Sequence, residues 1–193
     1  MVSGASLPGG EEAVERAAKA IAQKNPDMPE QERAQVAHMI GIGAVKYSDL
    51  STDRVKDYVF DWERMLSFDG NTAPYLQYAH ARMCSIFRRA GIERESVRSV
   101  SPIILEPREH ALAIRMLQFD SAVWDALEKY SPHRLCTYLY ELATDFTAFY
   151  EHCPVLKADT EEQRLSRLAL CDSAARVLEC GLNLLGIRAP EQM

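Results

Sequence analysis

The sequence predicts an all-α protein, a helical bundle, and three observations carry that prediction. Apolar residues recur at steps of three and four along two long stretches. One carries Leu135, Leu139, Leu142, Phe146 and Phe149; the other carries Leu168, Cys171, Ala175, Leu178, Leu182 and Leu185. That spacing is one face of a helix. Start and stop signals bracket such stretches. Ser131-Pro132 reads as a cap followed by proline at the first helical position. Thr160-Glu161-Glu162-Gln163 has the form of a capping box, and Gly91 and Gly186 stand where helices stop. Finally, no stretch alternates convincingly as a strand does, and no internal repeat or low-complexity tract appears. Helix must therefore pack on helix.

The elements follow in order. Residues Met1 to Gly10 are small and without period, which reads as a disordered leader, taken here as 1–11. Glu11 to Asn25 predicts a helix on Val14, Ala17, Ala18 and Ile21, broken by Asn25-Pro26-Asp27. Pro29 opens a second, with Glu30 and Glu32 at the positive end of its dipole and an apolar face through Val36, Met39, Ile40 and Val45. Gly41 and Gly43 inside it each cost roughly 1 kcal/mol relative to alanine. Such a site needs close backbone approach to another helix or another domain. It is not a dinucleotide fingerprint, since it follows no strand and lacks the third glycine. Tyr58-Val59-Phe60 is short and β-prone, and Asp61 caps a helical turn through Trp62 and Met65. Glu93 to Pro107 is a polar connection between helical layers. From Arg108 the chain is helical to the end: first Leu112, Ile114, Met116 and Leu117, then a segment around Val123, Trp124 and Leu127, then the two long helices. Pro154 ends the first of these, and Gly186 leaves a closing segment of seven residues.

Composition narrows the function. A chain of 193 residues, 47% hydrophobic, holds one domain or one and a half. No apolar run spans a membrane and no signal peptide opens the chain. Five cysteines, an odd count without CxxC spacing, argue for reduced thiols in a cytoplasmic protein. The net charge of −6 argues against generic, salt-driven binding to nucleic acid, DNA included. It leaves room for one structured RNA read by a local basic and aromatic patch.

The stretch Phe68 to Arg82 organises the chain. Asp69-Gly70-Asn71-Thr72 is dense in turn formers and predicts a tight exposed loop. Thr72 then caps a helix, and Pro74 suits its first turn. Tyr75, Tyr78 and Arg82 fall at i, i+3 and i+7 on one face, a platform able to stack on flat partners and hold a phosphate or base edge. The pattern alone favours the plainer assignment of both tyrosines to the core. The helix ends at Arg88-Arg89-Ala90-Gly91; the two arginines read as a solvated helix end that is also available to phosphates.

These residues carry a resemblance. Phe68-Asp69-Gly70-Asn71-Thr72-Ala73-Pro74-Tyr75-Leu76-Gln77-Tyr78-Ala79-His80-Ala81-Arg82 resembles the junction in class I arginyl-tRNA synthetases. Gly41 to Ser51, Tyr58 to Trp62, Tyr138 to Ala143 and Leu184 to Met193 agree with it. The resemblance covers the chain from about Glu12 onward and only the C-terminal part of such an enzyme. It implies a helical connecting region at 12–77 and the all-helical DALR anticodon-binding domain at 78–193. It also implies that Tyr75, Tyr78, Arg82, Tyr150 and Met193, with Asn71 of the loop, surround the anticodon loop of tRNA(Arg). The chemistry is sensible: unstacked bases want flat, polarisable surfaces, and base edges want fixed donors and acceptors. A terminal methionine also brings a carboxylate. The family commonly ends Pro-Glu-Arg-Met, whereas Gln192 stands here, one cation fewer beside the RNA.

Catalytic chemistry reads as absent. The resemblance implies a nucleotide-binding α/β domain with a histidine-glycine-histidine motif and a lysine-serine loop; this sequence has neither, nor strands to form the sheet. No cofactor is therefore expected in this chain; ATP and arginine would bind a catalytic domain outside it. His80 and Cys84 have a spacing seen in metal sites, but no second pair supports them, so they read as a packed pair. His133 and Cys136 lie about five turns of helix from His152 and Cys153, too far for one metal. Asp61 and Glu63 read as exposed carboxylates. The expected function is a tRNA(Arg) anticodon-binding module of an arginine–tRNA ligase, with a separate catalytic domain as a possible partner. The rivals are a free-standing truncated paralogue with an interaction role and a trans-acting half of a split synthetase.

Overall fold

The computed structural model describes residues 9–57 and 60–193. Among them the chain forms α1 (Gly10–Lys24), α2 (Glu30–Ser51), α3 (Trp62–Met65), α4 (Ala73–Ala90), α5 (Pro107–Leu117), α6 (Phe119–Glu128), α7 (Pro132–His152) and α8 (Glu161–Leu184), with a 3-10 turn at Arg94–Val97 and no strand. The fold is the all-α bundle expected. Tyr58 and Val59 of the β-prone triplet, and residues 1–8 of the expected leader, lie outside the described residues.

Local chemistry sets most of the ends. Gly9, at φ +80°, turns into α1, and Glu11 and Glu12 occupy its first turn, so this helix begins inside the stretch expected as leader. Pro29 stands at the N-cap of α2, one residue ahead of the helix it was expected to open. Asp61 accepts from the backbone N–H groups of Glu63 (2.9 Å) and Arg64 (3.3 Å) and starts α3. Thr72 accepts from the Tyr75 N–H (3.2 Å) while its hydroxyl donates to the Ser67 carbonyl (2.6 Å), pinning loop to helix. Gly91 closes α4 at φ +66°. Ser131 occupies the N-cap position of α7, but its hydroxyl donates to the Lys129 carbonyl (2.9 Å) and makes no cap bond. Thr160 accepts from the Gln163 N–H (3.1 Å); the return bond reaches the N–H of Asp159 (3.2 Å), one residue before the expected box.

Helix α7 is the hub, packed against α2, α4, α5, α6 and α8. The main core joins α4, α7 and α8 around Leu76, Met83, Leu139, Leu142, Phe146, Leu168 and Leu178, all fully buried. A smaller core lies between α1 and α2 around Ala17, Ile21, Met28, Val36 and Ile40. Gly41 explains that pairing. A Cβ there would sit 2.6 Å from the Val14 backbone nitrogen, so the two helices touch backbone to backbone. The close neighbour required by Gly41 is a helix of this chain.

The connection from Gly91 to Pro107 is tied down by polar contacts. Ser166 of α8 accepts from the Ile103 N–H (2.8 Å) and donates to its carbonyl (3.0 Å). Arg94 donates to Asp172 (2.9 Å). Glu109, 1% exposed, pairs with Arg167 (2.7 Å) and accepts from the backbone of Leu105 (2.8 Å) and Glu106 (3.0 Å). Burial alone would raise the Glu109 pKa. The hydrogen bonds from Arg167, Leu105 and Glu106 outweigh it and hold the carboxyl below its ordinary value.

Candidate nucleic-acid interface

The face of α4 predicted as a platform divides. Tyr75 leans inward against the main core, its ring 5.6 Å from Tyr140. Tyr78, three residues on, is 47% exposed and meets Phe68 edge-on at 6.4 Å. The Arg82 guanidinium lies over the Tyr150 ring, 4.7 Å from its centroid. Tyr150 in turn stacks on Phe146 at 6.1 Å, and its hydroxyl accepts from Arg89 (3.2 Å). A guanidinium held flat on a ring keeps its edge donors in a fixed plane, the preorganisation that base or phosphate recognition needs.

Tyr78, Arg82 and Met193 line one cleft of about 450 Å³. Met193 packs with Phe68 and Leu66 against the small α1–α2 core, which brings the end of the sequence beside the platform. Four of the six residues assigned by resemblance thus form a continuous patch, while Tyr75 turns into the core beside Tyr140. Asn71 stands apart. Its side-chain oxygen lies 2.6 Å from the Tyr47 hydroxyl, and it lines a different cavity of about 370 Å³ with Ser48, Asp57 and Arg64.

The cleft also holds residues that sequence reasoning missed, Asn25, Asp27, Met28 and Glu32 at the α1–α2 junction, together with Arg88, one of the two arginines read as available to phosphates. Asp27 and Glu32 offer acceptors suited to base amino groups, whereas Arg82 and Arg88 supply the donors. Nothing local in the sequence points to the junction residues, because they reach the platform only through the α1–α2 packing.

The segment after α8 reaches the cleft along α4. Gln77, fully buried, donates to the carbonyls of Met39 in α2 (3.1 Å) and Arg188 (2.7 Å). His80, also fully buried, meets the Pro190 carbonyl through Nδ1 at 3.0 Å; a carbonyl only accepts, so that nitrogen carries the proton. Arg88 donates to the Glu191 carbonyl (3.1 Å), and Lys46 to that of Gly186 (2.7 Å). Burial lowers the His80 pKa, against the Pro190 carbonyl and the nearby Glu179 carboxylate, which favour the cation. Sequence did hold a signal here: Gln77 and His80 are polar residues on a stripe whose neighbours are apolar.

The plain assignment of His80 and Cys84 as a packed pair agrees with the geometry. The Cys84 sulfur lies 3.8 Å from His80 Nε2, and burial pushes its thiol up to about 11. His133, Cys136, His152 and Cys153 are not brought together, and among the described residues no group of three or more His, Cys, Asp and Glu side chains is placed to hold a metal. All five cysteines are free, with Cys180 exposed and the others buried. No helix among the described residues is long and apolar enough to cross a membrane.

A helical bundle that presents an aromatic and arginine patch beside a polar cleft has the form of a helical anticodon-binding domain. Residues 76–193 match the DALR anticodon binding domain, and the chain belongs to that family. Residues 9–62 match a second family, the class I (R) tRNA synthetase catalytic domain. Relatives are named arginine–tRNA ligase: that of Yersinia enterocolitica is 54% identical over 183 residues, and that of an Enterobacter species 50%. Each match covers 95% of this chain and 32% of the relative, so the chain spans about a third of their length. Among solved structures, Thermus thermophilus arginyl-tRNA synthetase superimposes with a TM-score of 0.86 at 41% identity, covering 95% of this chain and 31% of that one. The Plasmodium falciparum arginyl-tRNA synthetase also gives 0.86, at 33% identity, covering 95% of this chain and 33% of that one.

Proposed function

We propose that this chain is the anticodon-recognition part of an arginine–tRNA ligase and that it binds tRNA(Arg) through the patch of Tyr78, Arg82, Tyr150 and Met193, with Tyr75 as its inner support. The observation that carries the reading is the convergence of Tyr78, Arg82 and Met193, from two ends of the domain, on one cleft. An unstacked anticodon base lies on Tyr78; Arg82 donates to a base edge or phosphate; Asp27 and Glu32 accept from exocyclic amino groups. Asn71 acts at one remove, holding the loop that leads into α4. ATP and arginine belong to the catalytic part that the full-length relatives possess, and this chain needs no cofactor of its own. The working place of such a module is the cytoplasm, where its RNA is.

The reading is tested by titrating the chain with tRNA(Arg). Tyr78→Ala removes a stacking surface worth about 1–3 kcal/mol, a loss of roughly ten- to hundredfold in affinity. Lys19→Ala, in an exposed pair with Glu15 on α1, leaves affinity unchanged. A Tyr78→Ala protein that binds like the parent would rule the platform out.

A further inference from the structure

One stripe of α4 faces the cleft, and the adjacent stripe holds the segment that delivers Met193 to it. Gln77, His80 and Arg88 fall at i, i+3 and i+11 along α4, and each makes a hydrogen bond to a backbone carbonyl of the closing segment: Arg188, Pro190 and Glu191. Only backbone is read, so the contacts set the register of the segment and not its composition. Gln77 also bonds to Met39 of α2, so a single side chain joins α2, the platform helix and the segment. Both Gln77 donors are used, and His80 is fully buried on Pro190. A slip of one residue would leave these buried donors without acceptors. Met193 is thus held to one position beside Tyr78 and Arg82.

We propose that Gln77 and His80 are positioning residues for Met193, and that discrimination between RNAs depends on the register they impose. The selectivity part rests on the anticodon reading above; the positioning part does not.

The test uses the full chain with methyl-labelled methionine. The Met193 resonance is assigned by its loss in Met193→Ala. Affinity is measured in parallel for tRNA(Arg) and for the same RNA changed at the middle anticodon base. Gln77→Met and His80→Phe keep bulk and remove the donors. Each is expected to shift and sharpen the Met193 methyl signal toward that of a mobile residue. Each is also expected to reduce the preference for the cognate RNA roughly fivefold or more, the scale of one lost buried hydrogen bond. His80→Asn, which returns an amide donor near the position of Nδ1, is expected to restore both. In a Met193→Ala background, Gln77→Met should cost no further selectivity, because the side chain it positions is gone. Arg88→Met, at an exposed site, gives the methyl readout should a buried variant fail to fold. An unchanged Met193 signal in the folded variants overturns the positioning role. Selectivity losses that simply add in the Met193→Ala background overturn the link to Met193. Equal affinity of the unsubstituted chain for both RNAs overturns the anticodon reading and the selectivity part with it, while a mobile Met193 methyl in the variants would still establish positioning.

Discussion

The Arg82 guanidinium lies 4.7 Å from the centroid of the Tyr150 ring, which joins the platform helix α4 to the far end of α7. The contact fixes a long side chain that would otherwise sample many rotamers. An Arg82–Tyr150 double-mutant cycle should give a coupling of about 0.5–1 kcal/mol in thermal stability. Arg82→Ala should weaken RNA binding and lower the salt slope by about one phosphate equivalent. Arg82→Lys should recover part of the slope and little of the coupling, since an ammonium does not stack as the planar guanidinium does.

Gly41 marks the place where α1 and α2 touch. A Cβ would meet Val14 nitrogen at 2.6 Å and Val14 Cα at 2.7 Å, both backbone atoms that cannot rotate away. Gly41→Ala should therefore destabilise the chain by about 1–3 kcal/mol, despite alanine's better helix propensity. Denaturant unfolding measures this; a stabilised variant would mean that α1 does not pack as described. Because Met193 and the junction residues of the cleft rest on the α1–α2 pair, the variant should also bind RNA less tightly.

Glu109→Ala strands Arg167 in the core and should cost about 3–5 kcal/mol. The same pair gives a pH dependence. The folded state holds the Glu109 carboxyl below its ordinary value, so in the acid range the unfolded chain binds more protons. Stability from this group is present above about pH 4.3 and is lost as pH falls through the folded value. Comparing unfolding of the parent and of Glu109→Ala from pH 7 to 3 should show the difference between them shrinking toward acid.

His80 gives a second window. Burial, the largest influence, holds the imidazole below its ordinary value; Glu179 from α8 and Glu191 from the closing segment oppose this, and Arg94 reinforces it. The unfolded chain then takes up a proton at a higher pH than the folded one, so stability falls as pH drops below about 6.5. Imidazole NMR should report a midpoint below that value. A midpoint above it would mean that His80 is charged in the fold and that Glu179 dominates its surroundings.

The parts of this fold visible in the sequence are those decided within a few residues. Thr72 and Asp61 as caps, Gly91 and Gly186 as stops, and the apolar stripes of α7 and α8 all follow from local spacing. The platform was visible as a face, but which tyrosine looks outward was not: Tyr75 and Tyr78 differ by the position of Tyr140, far along the chain. The partners of Gln77, His80 and Glu109 were hidden for the same reason. Gln77 meets Arg188 and His80 meets Pro190 across more than a hundred residues, and Glu109 meets Arg167 across the α5–α8 contact. Ser131 misled because a serine before a proline has two hydrogen-bonding choices, and here the hydroxyl turns back to Lys129.

Residues 9–62 match a catalytic-domain family yet form only helices α1 and α2 and the approach to α3 among the described residues. Lacking the nucleotide-binding motifs, the chain given arginine, ATP and tRNA(Arg) should exchange no pyrophosphate and form no arginyl-tRNA. Activity above background, in a preparation free of host synthetase, would contradict the absence of catalytic apparatus.

The central claim is that base contacts at one cleft, and not charge alone, select the RNA. A chain of net charge −6 should bind weakly, but it should keep its preference, because base contacts carry specificity and phosphate contacts do not. The measurement is the ratio of affinities for tRNA(Arg) and for the same RNA altered only at the middle anticodon base. A single mismatched base contact predicts a ratio of roughly tenfold or more, while Tyr78→Ala, which removes a sequence-tolerant stacking surface, weakens binding to both RNAs. Equal affinity of the unsubstituted chain for the two RNAs would contradict the account.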